Sequence, residues 1–175
     1  MKRNIIIPIA AALLLVACHN ANEIPSRDDL AAAIDSIEQP LMQAANLAPV
    51  DTAKGQQLIE QYLLFADNYP DDSLAPHYLH RAAQVANALD HTDLMAVYYD
   101  RVIDNYPNYK QLDECYYEKG IALDNAGRKE EARKAYQAFL EEYPNHFLAE
   151  DIQRALALLD LSDELLLQYL QQNEH

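Results

Sequence analysis

Cysteine is scarce in this chain of 175 residues. The two copies are Cys18 and Cys115, and Cys18 ends an apolar run close to the N-terminus. Because Cys18 belongs to an N-terminal segment that is distinct from the main domain, Cys115 has no second thiol there to pair with. An intrachain disulfide is therefore excluded, and packing alone must hold the domain together.

Glycine is almost as rare, with 3 copies, and tryptophan is absent. No glycine-rich phosphate loop is found, and neither GxSxG nor HExxH occurs. The carboxylates are numerous, but no pair stands out as an acid–base couple. Cys115 lies between Glu114 and Glu118, whereas a reactive thiol needs an electropositive setting. We therefore expect no enzyme activity and no cofactor, and we interpret Cys115 as a small core residue.

Basic residues are few, at 13 against 28 acidic residues, which gives a formal net charge of −15. If Lys2 and Arg3 are removed with a leader, 11 basic residues face 28 acidic ones and the charge becomes −17. Such a chain should not bind nucleic acid, and anionic lipid surfaces will repel it. The acidity indicates either a soluble helical surface or a preference for basic partners.

The apolar run Ile5 to Ala17 is too short for a permanent transmembrane helix, but it suits a signal peptide after the basic start at Lys2 and Arg3. Residues 15–18 read Leu-Val-Ala-Cys, which resembles the lipobox of bacterial lipoproteins. The resemblance implies a signal peptide over residues 1–17, lipidation of Cys18 and a short tether over residues 18–25. An ordinary secretory signal with Cys18 as a bystander is the alternative.

The same resemblance bears on location. His19 stands where an aspartate retains some lipoproteins at the inner membrane. We therefore expect an outer-membrane protein, anchored by lipid and facing the periplasm. One acyl chain gives only marginal membrane binding, so a stable anchor needs the several chains of a fully modified cysteine.

A repeat with a step of 37 residues runs through the rest of the chain. It is marked by Tyr69-Pro70, Tyr106-Pro107 and Tyr143-Pro144, and Tyr62, Tyr99 and Tyr136 align at the same step. Within one unit the apolar positions 132, 135, 136, 139, 140 and 143 form the stripe of an amphipathic helix. Each such helix should end at its Tyr-Pro, because proline cannot continue a helix.

A preceding helix carries a small residue at the same step, namely Ala83, Gly120 and Ala157. These positions predict close approach between helices. Gly127 predicts a left-handed helix end, with the next helix over Lys129 to Glu142. Ser26 should cap a helix that begins at Arg27, and Pro40 should kink or divide that helix.

The best unit, residues 113–144, resembles the tetratricopeptide repeat, since Gly120, Ala132, Tyr136 and Pro144 match its consensus places. The family's usual step is about 34 residues. The longer step here resembles the repeats of bacterial envelope proteins such as the Tol–Pal coordinating protein and the outer-membrane assembly lipoprotein. The resemblance implies an all-α, TPR-like solenoid of antiparallel helix pairs, with about three repeats plus capping helices. The parts are a degenerate N-terminal cap over residues 26–50, repeats over 51–160 and a C-terminal capping helix over 161–175.

In this family the first helix of each unit lines a groove that binds partners. By resemblance, eleven positions would form that groove here: His77, His80, Gln84, Asn87, Glu114, Tyr117, Ile121, Asp124, Asp151, Arg154 and Leu158. Their mixture of polar groups with aromatic and aliphatic anchors suits a peptide or a partner helix. The paired lysines that some members use to hold a C-terminal carboxylate are absent.

Three functions fit these observations. The first is a membrane-anchored, periplasm-facing adaptor that binds proteins of a cell-envelope assembly or maintenance complex. The second is a holding chaperone for exported proteins. The third is a metal-binding or enzymatic role through His77 and His80, which are one helical turn apart, although two histidines alone do not make a metal site.

Overall fold

The computed structural model describes residues 24–44, 51–161 and 165. The predicted signal peptide, Cys18, most of the tether, residues 45–50 and most of the predicted C-terminal cap lie outside this range. The described part contains seven helices and no strand: α1 Arg27–Ala44, α2 Thr52–Asn68, α3 Ala75–Ala88, α4 Thr92–Asn105, α5 Leu112–Asn125, α6 Lys129–Glu142 and α7 Ala149–Leu159. None of these helices has the length and apolar character that crossing a membrane requires.

Each helix packs mainly against the helices before and after it in the chain. The connections are short, and α3 and α4 are joined by three residues. This order of neighbours confirms the predicted all-α solenoid of helix pairs. The first helices of the pairs are α1, α3, α5 and α7, and the second helices are α2, α4 and α6.

The Tyr-Pro pairs end the second helices, as the sequence predicted. In each case the tyrosine backbone N–H donates to the carbonyl four residues earlier, at 2.8 Å for Tyr69, 2.9 Å for Tyr106 and 2.7 Å for Tyr143. The Tyr106 hydroxyl also donates at 3.0 Å to the Pro70 carbonyl in the preceding connection, and the Tyr69 hydroxyl donates at 3.0 Å to the carbonyl of Pro25, just before α1. Each tyrosine therefore caps its own helix, and Tyr106 also links its connection to the preceding one.

Other helix ends are also set by local residues. The backbone N–H of Asp29 donates to the Ser26 hydroxyl at 3.2 Å at the start of α1, and that of Lys54 donates to Asp51 at 3.1 Å at the start of α2. Gly127 takes the predicted left-handed conformation, with φ of 73°. Of the two outcomes predicted for Pro40, division of the first helix does not occur, because α1 runs unbroken from Arg27 to Ala44. Proline removes one backbone hydrogen bond, and the remaining bonds and the packing against α2 keep the helix continuous.

The core follows the 37-residue step. Tyr62, Tyr99 and Tyr136 are all buried, and so are the members of the next aligned set, Phe65, Val102 and Phe139. Gly120 lies against Tyr136 so closely that a Cβ atom there would be 2.5 Å from two ring carbons. The small residue at this place therefore admits the tyrosine ring. Ala157, in a unit whose second helix is not described, is exposed.

Candidate functional site

A chain of polar side chains crosses the first helices of three successive units. Arg81 on α3 donates to one oxygen of Glu38 on α1, at 2.9 Å from Nε and 2.7 Å from Nη2. Its Nη1 donates to the side-chain oxygen Oε1 of Gln84 at 2.9 Å. The side-chain amide nitrogen of Gln84 in turn donates to both carboxylate oxygens of Glu118 on α5, at 3.1 Å each. The first helices α1, α3 and α5 therefore lie side by side and are joined by polar contacts.

Glu118 is the centre of this series of hydrogen-bonded side chains. Besides the Gln84 amide, its Oε2 atom accepts hydrogen bonds from His80 Nε2 at 2.8 Å and from the Tyr99 hydroxyl at 2.7 Å. Burial acts against the ionised carboxylate, but the hydrogen bonds from His80, Tyr99 and Gln84 outweigh it and lower the pKa of Glu118. The carboxylate is therefore held in its charged form.

His80 differs from the sequence prediction for it. It was expected on the groove surface, yet only 2% of the residue is exposed. Its Nε2–H donates to Glu118, because a carboxylate only accepts, and its Nδ1 lies 3.3 Å from the Tyr109 hydroxyl. The imidazole is enclosed between α3 and α5, so it is not part of the exposed groove surface.

The contact between α1 and α3, one repeat earlier, is made by different side chains. One step of 37 residues before Glu118 stands Arg81, and one step before Tyr99 stands Tyr62. The Tyr62 hydroxyl is buried near the Glu38–Arg81 pair, and burial together with Glu38 raises the pKa of Tyr62. The repeat therefore conserves the tyrosine and exchanges its charged neighbour.

A cleft of about 190 Å³ opens between α3 and α5 beside Glu118. Eight residues line it: Gln84, Asn87, Tyr99, Tyr117, Glu118, Ile121, Ala122 and Asn125. Tyr117 and Ile121 are half-buried, while Asn87 and Asn125 are exposed. The cleft thus has the Glu118 carboxylate at its bottom, an aromatic and aliphatic wall, and amide side chains at its rim.

Four of the eleven predicted groove residues line this cleft, namely Gln84, Asn87, Tyr117 and Ile121. The remaining seven do not: His77, His80, Glu114, Asp124, Asp151, Arg154 and Leu158. Among these, Asp124 accepts a hydrogen bond from the Tyr136 hydroxyl at 3.2 Å, and Arg154 pairs with Asp151 on the surface of α7. The structure therefore places two predicted residues of α3 and two of α5 at the cleft, and it leaves the other seven outside, including all three on α7.

Sequence reasoning missed Glu118 as a member of the site. Glu118 lies one turn after Glu114 and one residue after the predicted Tyr117, so its helical position was available. The further signal was Tyr99, since a buried tyrosine hydroxyl usually forms a hydrogen bond. What the sequence did not show was which of the many carboxylates would supply that partner.

Cys115 is fully buried, and burial together with Glu118 and Glu114 raises the pKa of its thiol, which confirms the prediction of a core residue. His80, Glu114 and Glu118 have ligand atoms within 4.8 Å of one another. His77, which the metal hypothesis paired with His80, is not a member of that group.

A larger cleft, of about 1040 Å³, lies between the connections that follow the first two Tyr-Pro pairs. Pro70, Asp71, Arg101, Asn108 and Lys110 are among its lining residues, and none of the predicted groove residues is. It occupies the place of the extra residues that lengthen each repeat. We name it the connection cleft.

Comparison with known proteins bears on the repeats. Two segments, residues 78–109 and 114–146, match the tetratricopeptide repeat family model. Among curated proteins no match was found. The first match takes in α4 and most of α3, and the second takes in α6 and most of α5. The chain is thus an all-α, TPR-like solenoid with two matched tetratricopeptide repeats, of the kind that mediates protein–protein interaction.

Proposed function

We propose that this protein is a lipid-anchored adaptor that binds a protein of the cell envelope. The binding surface is the one formed by the first helices α1, α3, α5 and α7, which we call the first-helix face. The observation that carries the proposal is the cleft between α3 and α5, whose walls combine Tyr117 and Ile121 with the amides of Gln84 and Asn87. Such a mixture of apolar anchors and hydrogen-bonding groups suits a peptide or a partner helix.

The anchor is part of the same proposal. Residues 15–18 resemble a lipobox, and residues 1–17 have the basic start and short apolar run of a signal peptide. Lipidation at Cys18 would hold the solenoid at the outer membrane on its periplasmic side. The predicted tether is short, so the first-helix face would work close to the membrane surface.

The test is a combined Tyr117→Ala and Arg154→Glu variant in tagged protein, recovered from cells after crosslinking. Tyr117 contributes to the cleft, and Arg154 lies on the surface of α7, where it pairs with Asp151. We expect the dominant partner to be lost. Val97→Ala with Lys134→Glu is the matched control, because both residues are exposed on second helices at equivalent places of the repeat. Retention of the partner by the first variant would reject the assignment, and so would its loss from both variants.

A holding chaperone for exported proteins is the alternative function. The excess of acidic residues favours it, because a highly charged surface keeps complexes with unfolded chains soluble. A chaperone would capture many exported proteins weakly and would suppress aggregation of an unfolded test protein. Capture of one dominant partner without such suppression would decide for the adaptor.

A further inference from the structure

The cleft beside Glu118 has the dimensions and chemistry of a pocket for one side chain. Its volume is about 190 Å³, and the Glu118 side chain at its base is 32% exposed. One wall of the cleft is formed by Tyr117 and Ile121, which are half-buried. A long side chain with an apolar stem and a polar head matches such a pocket better than a short or wholly apolar one.

The two oxygens of Glu118 are used unequally. Oε2 accepts hydrogen bonds from His80, Tyr99 and Gln84, whereas Oε1 accepts one, from Gln84 at 3.1 Å. A carboxylate has about four acceptor positions. Acceptor capacity therefore remains on Oε1, while the bonds to Oε2 hold the group in place.

The negative charge at the cleft favours a positively charged ligand. Arg81, the arginine of α3, is bound to Glu38 on α1 and to the side-chain carbonyl oxygen of Gln84. Of the eight residues that line the cleft, Glu118 alone carries a formal charge. An aromatic ring beside the pocket, here that of Tyr117, also attracts cations through its π face.

We infer that this cleft binds an arginine or lysine side chain of the partner protein, with the cationic head on Glu118 and the stem along Tyr117 and Ile121. The inference rests on the proposed function and adds the chemical class of the partner's anchor residue. A partner whose contact segment is basic would also be drawn to this acidic protein at long range.

The test uses acetyl-arginine amide as the probe and acetyl-citrulline amide, which has the same shape without the charge, as its control. Each is titrated into full-length protein in detergent, and binding is followed by amide NMR. We expect the arginine probe to shift signals of residues 84–87 and 117–125, with citrulline binding at least about tenfold weaker. Glu118→Gln should weaken arginine binding about tenfold or more.

Two further variants keep the test decisive. Ile121→Lys places an ammonium group in the cleft without touching the Glu118 contacts, and it should abolish the shifts. Glu150→Gln makes the same change of one charge unit at an exposed residue of α7 and should leave binding unchanged. Equal binding of arginine and citrulline, or arginine shifts that survive both Glu118→Gln and Ile121→Lys, would overturn the inference. Because no partner is used, this failure is distinct from failure of the pull-down.

Discussion

At the scale of single residues, the buried tyrosines show how one repeated position takes different roles. The Tyr99 hydroxyl donates to ionised Glu118 at 2.7 Å. The Tyr62 hydroxyl, at the equivalent place one repeat earlier, has no hydrogen-bond partner among the described residues. A hydrogen bond to a charged group is worth about 1.5–3 kcal/mol, whereas a buried hydroxyl without a bond contributes nothing favourable.

Tyr99→Phe should therefore lower the free energy of unfolding by about 1.5–3 kcal/mol, because it removes a donor from the Glu118 carboxylate. Tyr62→Phe, the matched control, should change it little or raise it slightly. Urea denaturation of both variants measures the difference. Equal losses would show that the two hydroxyls have the same surroundings in solution.

Gly120 gives a second prediction at this scale. A methyl group there would lie 2.5 Å from two ring carbons of buried Tyr136, and the tyrosine is too enclosed to move away. We expect Gly120→Ala to destabilise the protein by about 1–3 kcal/mol. That outweighs the gain of about 0.5–1 kcal/mol that alanine normally brings to a helix.

Gly55→Ala is the control for this prediction. The added carbon would meet the flexible end of Leu89 at 3.2 Å, so a small adjustment relieves the contact. Thermal unfolding should show a lower Tm for Gly120→Ala and an unchanged or higher Tm for Gly55→Ala. A stabilised Gly120→Ala protein would mean that α5 and α6 lie farther apart than described.

At the scale of elements, the ends of the helices were largely predictable and the cleft was not. Tyr-Pro pairs, Ser26 and Gly127 act through local backbone chemistry, which sequence reveals directly. Whether Pro40 would divide α1 was harder to predict, because tertiary packing keeps the helix continuous across it. The cleft depends on which residues of α3 meet which residues of α5, and Glu118 is distinguished only by that pairing.

The link between connections can be tested on the Tyr-Pro tyrosines. Tyr106→Phe removes the hydroxyl that donates to the Pro70 carbonyl at 3.0 Å, and we expect a loss of about 0.5–1.5 kcal/mol. Hydrogen exchange should also quicken in the connections before α3 and α5. Tyr143→Phe is the control, since no hydrogen bond of its hydroxyl occurs within the described residues. Equal effects of the two variants would show that the ring alone matters.

At the scale of the whole molecule, ionised carboxylates set the acid limit of stability. The pKa of Glu118 in the fold lies below its ordinary value of 4.5. Its stabilisation is therefore present above about pH 4.5 and is lost as the pH falls through the lower value of the folded state. Asp72 acts in the same direction, because hydrogen bonds from Arg27 and from the backbone of Leu74 lower its pKa.

Glu118→Gln should therefore cost stability at pH 7, and this cost should shrink as the pH falls through the lowered pKa of Glu118 in the fold, where the wild-type carboxylate becomes protonated. Urea denaturation at pH 7 and over a series of lower pH values gives the comparison, and Glu150→Gln serves as the control on an exposed acid. A cost that does not change as the pH falls would show that the charge of Glu118 contributes nothing to the fold.

Binding of a partner protein on the first-helix face is tested most directly by photo-crosslinking in cells, with a photoreactive amino acid placed in turn at Tyr117 in the cleft, Asn108 in the connection cleft and Val97 on α4. We expect one dominant envelope protein to be crosslinked from position 117 and none from position 97. Crosslinking from positions 108 or 97, with nothing captured from 117, would contradict binding on this face.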